Sequence, residues 1–423
     1  MDNAKRKNMI GYIALTLLAV LAFSDFMACR RILRSSLGKL NKVITLSVII
    51  SSSLFIFVAP MFMYISKEGN DNGAMTKDIM TVITLFILFA AMKFTLYIYW
   101  LPSSNRKLLY AGLISSGLVS LFYLYSVFVT RTDYRVNEVE VRFENLPHGF
   151  DGYRVAFISD IHLGTMYNTV KELSRLADVI ESVDADILMF GGDLVNMNHE
   201  EITPEVLRIL SRMRLKEPTL AVLGNHDTGT YMFDSTACPM DVNIGEIRKK
   251  VVSAGWTLLM DSTVYLYNGT DSIAVTGIDY NKRLLEHKHS LKRLYGYNSD
   301  YIYSNVDNEV FNITISHLPQ LWNELSRKRY SDLTLSGHIH AMQFKLNVFG
   351  YRFSPARFMY DEWSGMYENE DGKLYINDGI GVISISFYLI SNAIRQSESP
   401  AALRYSNIRT PSRSSPIKLR VSP

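Results

Sequence analysis

The chain has 423 residues, with 44 Lys and Arg against 41 Asp and Glu and two cysteines. A formal charge of +3 is too small to argue for nucleic acid, and with no basic face carrying interleaved aromatics in the soluble part no nucleic-acid partner is expected. Cys29 and Cys238 lie far apart in sequence and form neither a disulfide framework nor a thiolate metal site.

The hydrophobicity is concentrated at the front. Four apolar runs stand before residue 131, at roughly 9–27, 43–65, 79–101 and 108–130. Each is about long enough to cross a hydrocarbon core of ~30 Å at ~1.5 Å per residue. None shows the amphipathic stripe of a soluble surface helix. The first run lacks a small-residue cleavage pattern and is followed by CRRILR and three more runs, which argues against a cleaved leader. Residues 1–131 are therefore expected to be a transmembrane region of about four helices, in contact with membrane lipids, in a multi-pass cell-membrane protein. Tyr97, Tyr99 and Trp100 close the third run as interfacial aromatics do. Lys93 inside that run is expected to snorkel or to face the bundle. Gly112, Ser115, Ser116 and Gly117 permit close helix packing in the fourth run. Basic residues near the spans divide seven to seven between the two sides. The dense cluster Arg30, Arg31, Arg34, Lys39 and Lys42 and the acidic, glycine-containing 66–78 loop favour an extracytoplasmic catalytic domain.

After Arg131 the pattern changes to alternating strands and helices. NEVEVRF alternates like an exposed strand, and YRVAFISDIHLG is a buried strand running into a loop. A helix follows over about 168–183, then the apolar strand DILMFGGD, a helix near 204–214 and the strand TLAVLGNHD. SIAVTGID, FNITISH and LTLSGHIH repeat the pattern. This is an α/β architecture, in which functional groups gather beyond the carboxyl ends of the strands.

Those ends carry Asp160 and His162, Asp193, Asn225 with His226 and Asp227, His317, and His338 with His340. In an extended backbone alternate side chains share a side, so the imidazoles of His338 and His340 are expected to lie together, with Gly337 leaving room beside them. Carboxylates, imidazoles and an amide carbonyl without thiolates suit divalent Mn, Fe, Zn or Co. Seven such ligands exceed what one ion takes and suit two ions sharing a carboxylate.

The series DIH at 160–162, GGD at 191–193, GNHD at 224–227, SH at 316–317 and GHIH at 337–340 resembles the motif set of the calcineurin-like metallophosphoesterases, in its membrane-anchored bacterial type. The resemblance covers roughly residues 137–381. It implies a four-layer αββα sandwich as a catalytic domain over 132–381. It implies two divalent metal ions: Asp160, His162 and His340 on one, Asn225, His317 and His338 on the other, and Asp193 between them. It gives His226 the role of contacting phosphate and assisting the leaving oxygen, oriented by Asp160 or Asp227. Two ions ~3.5–4 Å apart supply a hydroxide nucleophile at neutral pH. The implied activity is hydrolysis of a phosphate mono- or diester. Relatives that cleave UDP-2,3-diacylglucosamine make a lipid-linked or nucleotide-lipid diphosphate the specific substrate expected.

His148, His287 and His289 lie outside the motifs and are expected on the surface, while His199 follows Asp193 closely enough to be an outlying candidate for substrate contact. DEWSGMYENEDGK is expected as a surface strand–turn–strand. Ala341, Met342 and Gln343 stand where many membrane-associated relatives have Gly-Gly-Gln after the last histidine. From Val382 the chain departs from the family's pattern. Residues 382–423 are expected to be an atypical, partly disordered segment, either a native extension or an altered reading frame. The competing functional class is a membrane transporter or sensor with a regulatory phosphoesterase-like domain, for which Lys93 is the only support.

Overall fold

The computed structural model describes residues 3–66, 72–102, 105–129, 132–134, 136–230, 238–280, 298–348, 351–381, 387–390 and 415–421. The chain divides into two compact units, Met1–Thr130 and Arg131–Pro423.

The first unit consists of helices α1 (Asn3–Arg34), α2 (Lys39–Ser66), α3 (Asn72–Trp100) and α4 (Arg106–Phe128). Three of them are long and apolar enough to cross a membrane, over Lys39–Ala59, Thr81–Trp100 and Arg106–Phe128. The expected fourth span, the 9–27 run, is not among these. The side chains of α1 are described from residue 19 on, and that stretch holds Asp25, Arg30, Arg31 and Arg34. Small residues let α3 and α4 approach. A Cβ on Gly112 would sit 2.7 Å from Trp100 Nε1, which itself donates to Leu109 O at 3.0 Å. Ser116 Oγ donates to Met92 O (3.2 Å), whereas Gly117 faces open space. Lys93 is buried and faces the bundle, where Nζ meets Asp25 Oδ1 at 2.8 Å and Oδ2 at 2.9 Å and also bonds Ser53. Ser53 and Tyr97 donate to the same carboxylate. In hydrocarbon each of these polar groups would be costly alone.

The second unit is built on two six-stranded sheets. The first has the order β1 (Asn137–Phe143), β15 (Ser415–Val421), β2 (Arg154–Ile158), β3 (Ile187–Phe190), β4 (Leu220–Ala221), β5 (Thr257–Leu258). The second has the order β12 (Gly365–Glu368), β13 (Lys373–Ile376), β9 (Leu333–Ser336), β8 (Asn312–Ser316), β7 (Asp271–Ile278), β6 (Ser262–Asn268). A small third sheet joins β11 (Tyr351–Phe353), β10 (Phe344–Val348) and β14 (Phe387–Ile390).

Side-chain alternation creates the layers. Val155 and Phe157 of β2 join Ile187, Met189, Ile273, Val275, Ile313, Ile315, Leu333 and Leu335 in a core between the two sheets. Ala156 and Ile158 point the other way, onto α5 (Thr169–Ser182), α6 (Pro204–Leu210) and α7 (Met240–Ser253) through Leu173, Leu176, Ile180, Val206, Ile209 and Ile247. Trp322 and Leu325, from the helix Trp322–Arg327, cover the outer face of the second sheet with Ile339 and Ile302. The result is an αββα sandwich. Strands β2, β3 and β4 are parallel to one another, as are β7, β8, β9 and β13, so the carboxyl ends within each set collect at one edge.

Within the C-terminal segment, expected to be atypical and partly disordered, Ser415–Val421 is a strand. This stretch is antiparallel to β1 through seven residue pairs, Asn137↔Val421 to Phe143↔Ser415, and parallel to β2. In sequence Ile417, Leu419 and Val421 alternate with Lys418 and Arg420, which is a strand pattern set inside a Ser- and Pro-rich tail. Residues 382–386, 391–414 and 422–423 lie outside the described residues, as do His287 and His289. His148 is exposed, as expected, and DEWSGMYENEDGK contains the antiparallel pair β12–β13.

Candidate metal centre

Each motif follows directly on a buried strand. Asp160 and His162 follow β2, Asp193 follows β3, Asn225, His226 and Asp227 follow β4, His317 follows β8, and His338 and His340 follow β9. Three donor groups converge with their atoms within 4.8 Å of one another: Asp160, His162 and His340; His162, Asp193 and His226; Asp160, Asp193 and His317. His162 Nε2 lies 3.1 Å from His340 Nε2, and His340 Nε2 lies 3.1 Å from Asp160 Oδ1. Asp193 Oδ2 is 3.6 Å from His162 Nε2 and 3.2 Å from His317 Nε2. Asn225 Oδ1 is 2.9 Å from His317 Nε2. The His338 ring meets that of His317 edge-on at 5.1 Å, and its backbone N–H donates to Asp160 at 3.1 Å.

These separations fit a divalent cation. Ligand atoms ~2.0–2.2 Å from one ion lie about 2.8–3.6 Å from each other along the edges of an octahedron or tetrahedron. Asp193 Oδ2 is buried between the imidazoles of His162 and His317. Among the described residues of this unit no Lys or Arg is buried, so only imidazoles stand beside the Asp160 and Asp193 carboxylates. Burial opposes ionisation of Asp160, yet His340 and His317 hold its carboxyl at about 2. Burial pushes His162 well below the usual imidazole range, and the neighbouring His226 adds to this. For His317 burial works against charge, but Asp193 and Asp160 outweigh it and lift the ring to about 9.

The route by which the two histidines of GHIH reach the site differs from the expected one. β9 ends at Ser336, and His338 (φ 74°) and His340 (φ 52°) are not extended. Asp160, His162, Asp193 and Ala341 also have positive φ, between 46° and 58°. Left-handed backbone at non-glycine residues costs energy and is held where the surroundings fix it. It turns His340 towards Asp160 and His162 and leaves His338 with His317. Close approach explains two glycines. A Cβ on Gly224 would stand 2.2 Å from Asp193 Oδ1, and one on Gly379 (φ +87°) would stand 2.6 Å from His340 Nδ1.

The sequence reading expected a carboxylate to orient His226. In the structure Nδ1 of His226 lies 2.8 Å from Asn196 O, so a backbone carbonyl holds the ring. The Asp227 carboxylate instead accepts from the N–H groups of Asp193 (2.9 Å), Leu194 (2.9 Å), Val195 (3.0 Å) and Gly224 (2.8 Å). It ties the loop after β3 to the loop after β4, and burial beside Asp193 raises it to about 7 in spite of those amides. Two residues absent from the motif reading complete this frame. Asn243 of α7 accepts from His199 N (2.8 Å) and donates to Asp227 O (2.9 Å). Glu201 accepts from Gly164 N, Asn196 N and Met197 N, each at 2.7 Å. His199 is half-buried beside this frame.

Residues 153–342 match the family profile of the calcineurin-like phosphoesterases, and the matched stretch holds every one of these strand-end residues. This part of the chain is a calcineurin-like phosphoesterase domain. It is a metal-dependent phosphoester hydrolase domain on the αββα frame described above. The chain is 28% identical over 269 residues to YkuE, an uncharacterized metallophosphoesterase of Bacillus subtilis, a match covering 62% of this chain and 83% of that protein. It is 24% identical over 266 residues to a transmembrane protein with metallophosphoesterase domain from Danio rerio, covering 61% of this chain and 55%, about half, of the relative. Over 94 residues it is 40% identical to the UDP-2,3-diacylglucosamine pyrophosphatase LpxG of Chlamydia trachomatis, covering 21% of this chain and 27% of that protein.

Proposed function

We propose that this chain is a membrane-anchored phosphohydrolase that cleaves a phosphate mono- or diester with two divalent cations. The observation that carries the reading is the convergence of buried donor atoms from several strand ends at separations of 2.9–3.6 Å. Asp160, His162 and His340 would hold one cation, Asn225, His317 and His338 the other, with Asp193 between them. When bound, such ions activate water at neutral pH and offset charge on the phosphoryl oxygens.

The remaining steps belong to the protein. His226 stands with its ring 4.6 Å from that of His162, and Asn196 O fixes Nδ1 as the protonated nitrogen. Nε2 is then the atom that gives a proton to the departing oxygen. Asp227 and Asn243 keep the loops after β3 and β4 in register, so that Asp193 and His226 stay at one separation. The substrate proposed is a lipid-linked phosphate or diphosphate, supported by the apolar helices and by the partial likeness to LpxG.

We assign the catalytic unit to the extracytoplasmic side. The basic cluster from Arg30 to Lys42 precedes the Lys39–Ala59 span and Arg106–Lys107 opens the Arg106–Phe128 span, and with both basic stretches in the cytoplasm the chain after Phe128 would lie outside. Full-length protein in detergent, assayed with manganese against nitrophenyl and alkyl phosphoesters and a nucleotide-lipid diphosphate, tests the activity. Turnover that requires the metal and is highest on the lipid substrate is the expected result. Metal-independent turnover or none on any ester contradicts the reading.

A further inference from the structure

Glu201 carries none of the chemistry assigned above, yet its half-buried carboxylate is surrounded by backbone amides. Oε1 accepts from Met197 N–H at 2.7 Å. The carbonyl of that same peptide group is Asn196 O, which lies 2.8 Å from His226 Nδ1. Among the described residues no peptide bond is cis, so this N–H and this C=O point in opposite directions from one plane. The line therefore runs from carboxylate to N–H, through one peptide group, from C=O to the imidazole N–H. A hydrogen bond to a peptide N–H polarises the group and strengthens its carbonyl as an acceptor.

The other oxygen fixes the geometry. Oε2 takes Asn196 N–H and Gly164 N–H, each at 2.7 Å, so one carboxylate binds the loop after β2 to the loop after β3. Gly164 is needed for this approach, since a Cβ there would come within 2.6 Å of the Glu201 carboxylate. With both oxygens accepting from N–H groups, the charged form is the one the cradle fits.

We infer that Glu201 is a positioning residue for His226, holding its ring in place through the Asn196–Met197 peptide group rather than through a direct carboxylate–imidazole pair. The inference rests on the reading of His226 as proton donor. Weakening this cradle leaves the ring less firmly aimed, so departure of a poor leaving group suffers most.

The test uses full-length protein with Glu201→Gln, Glu201→Asp, His226→Ala and the double variant Glu201→Gln/His226→Ala. Alkyl and nitrophenyl phosphoesters are compared, and metal content is measured in each protein. Glu201→Gln should keep its metal. Its loss on alkyl esters should exceed that on nitrophenyl esters, and Glu201→Asp should recover part of it. In the double variant the ester preference should match that of His226→Ala alone. A Glu201→Gln enzyme with the wild-type ester ratio overturns the inference. So does equal loss on both esters together with loss of metal, which would mark a purely structural role. If His226→Ala hurts both esters equally, the proton-donor reading itself fails, and the inference falls with it.

Discussion

Each unit of the chain buries a polar cluster, and the two clusters are finished in opposite ways. In the helical unit the Lys93 ammonium, the Asp25 carboxylate and the hydroxyls of Ser53 and Tyr97 bond to one another. Charge and hydrogen bonds close among themselves. In the catalytic unit the Nε2 atoms of His162 and His340 face each other at 3.1 Å, and Asp193 Oδ2 stands between the imidazoles of His162 and His317. A cluster complete in itself holds helices together, whereas one that needs a cation to be complete can do chemistry. Within the helical bundle Lys93 is engaged by Asp25 of α1 and Ser53 of α2.

The comparison can be broken first at Asp193. Asp193→Asn keeps the shape and removes the charge between the two proposed cations, and turnover should fall by ~10³ or more with loss of metal. Near-normal activity with full metal would place the centre elsewhere. At His226 the expected loss is ~10²–10³ in kcat, greater for alkyl than for nitrophenyl esters, with metal retained. Metal loss in His226→Ala would make it a ligand.

The closed cluster should answer differently. Asp25→Asn or Lys93→Met alone leaves a buried charge without its partner and should cost about 3 kcal/mol of stability, while the double change should recover most of it. Thermal unfolding in detergent reads this, and equal additive losses would contradict a self-contained pair. The smallest effect expected is thermal. A chelator should lower the unfolding transition of the catalytic unit by a few degrees and leave the helical unit unchanged. Protection of neither unit by added manganese would count against a bound cation.

The catalytic strand ends were legible because each metal-type residue directly follows an apolar run, as Asp160 follows VAFIS and His317 follows ITIS. The same pattern shows an α/β architecture, while the four-layer sandwich is legible only through the family resemblance. What was hidden acts without a spacing signal. Asn196 works through its backbone carbonyl, and Glu201 works through backbone amides, so neither side-chain type announces its role. The geometry of His338 and His340 is not legible in the sequence, because their strand stops before them and positive φ takes over. Asp25 offered a signal that went unread. An acid inside an apolar run needs a partner, and Lys93 was the basic residue available. The strand 415–421 showed alternation but was concealed by its Ser- and Pro-rich surroundings.

The most direct measurement is the metal content of the full-length protein, determined beside turnover while manganese is titrated into chelator-treated enzyme. The account predicts that activity is absent without metal, rises with manganese and saturates at two equivalents per chain, and that Asp193→Asn binds fewer than two. Full activity at one equivalent, or in the metal-free protein, would contradict a centre built from two cations around Asp193.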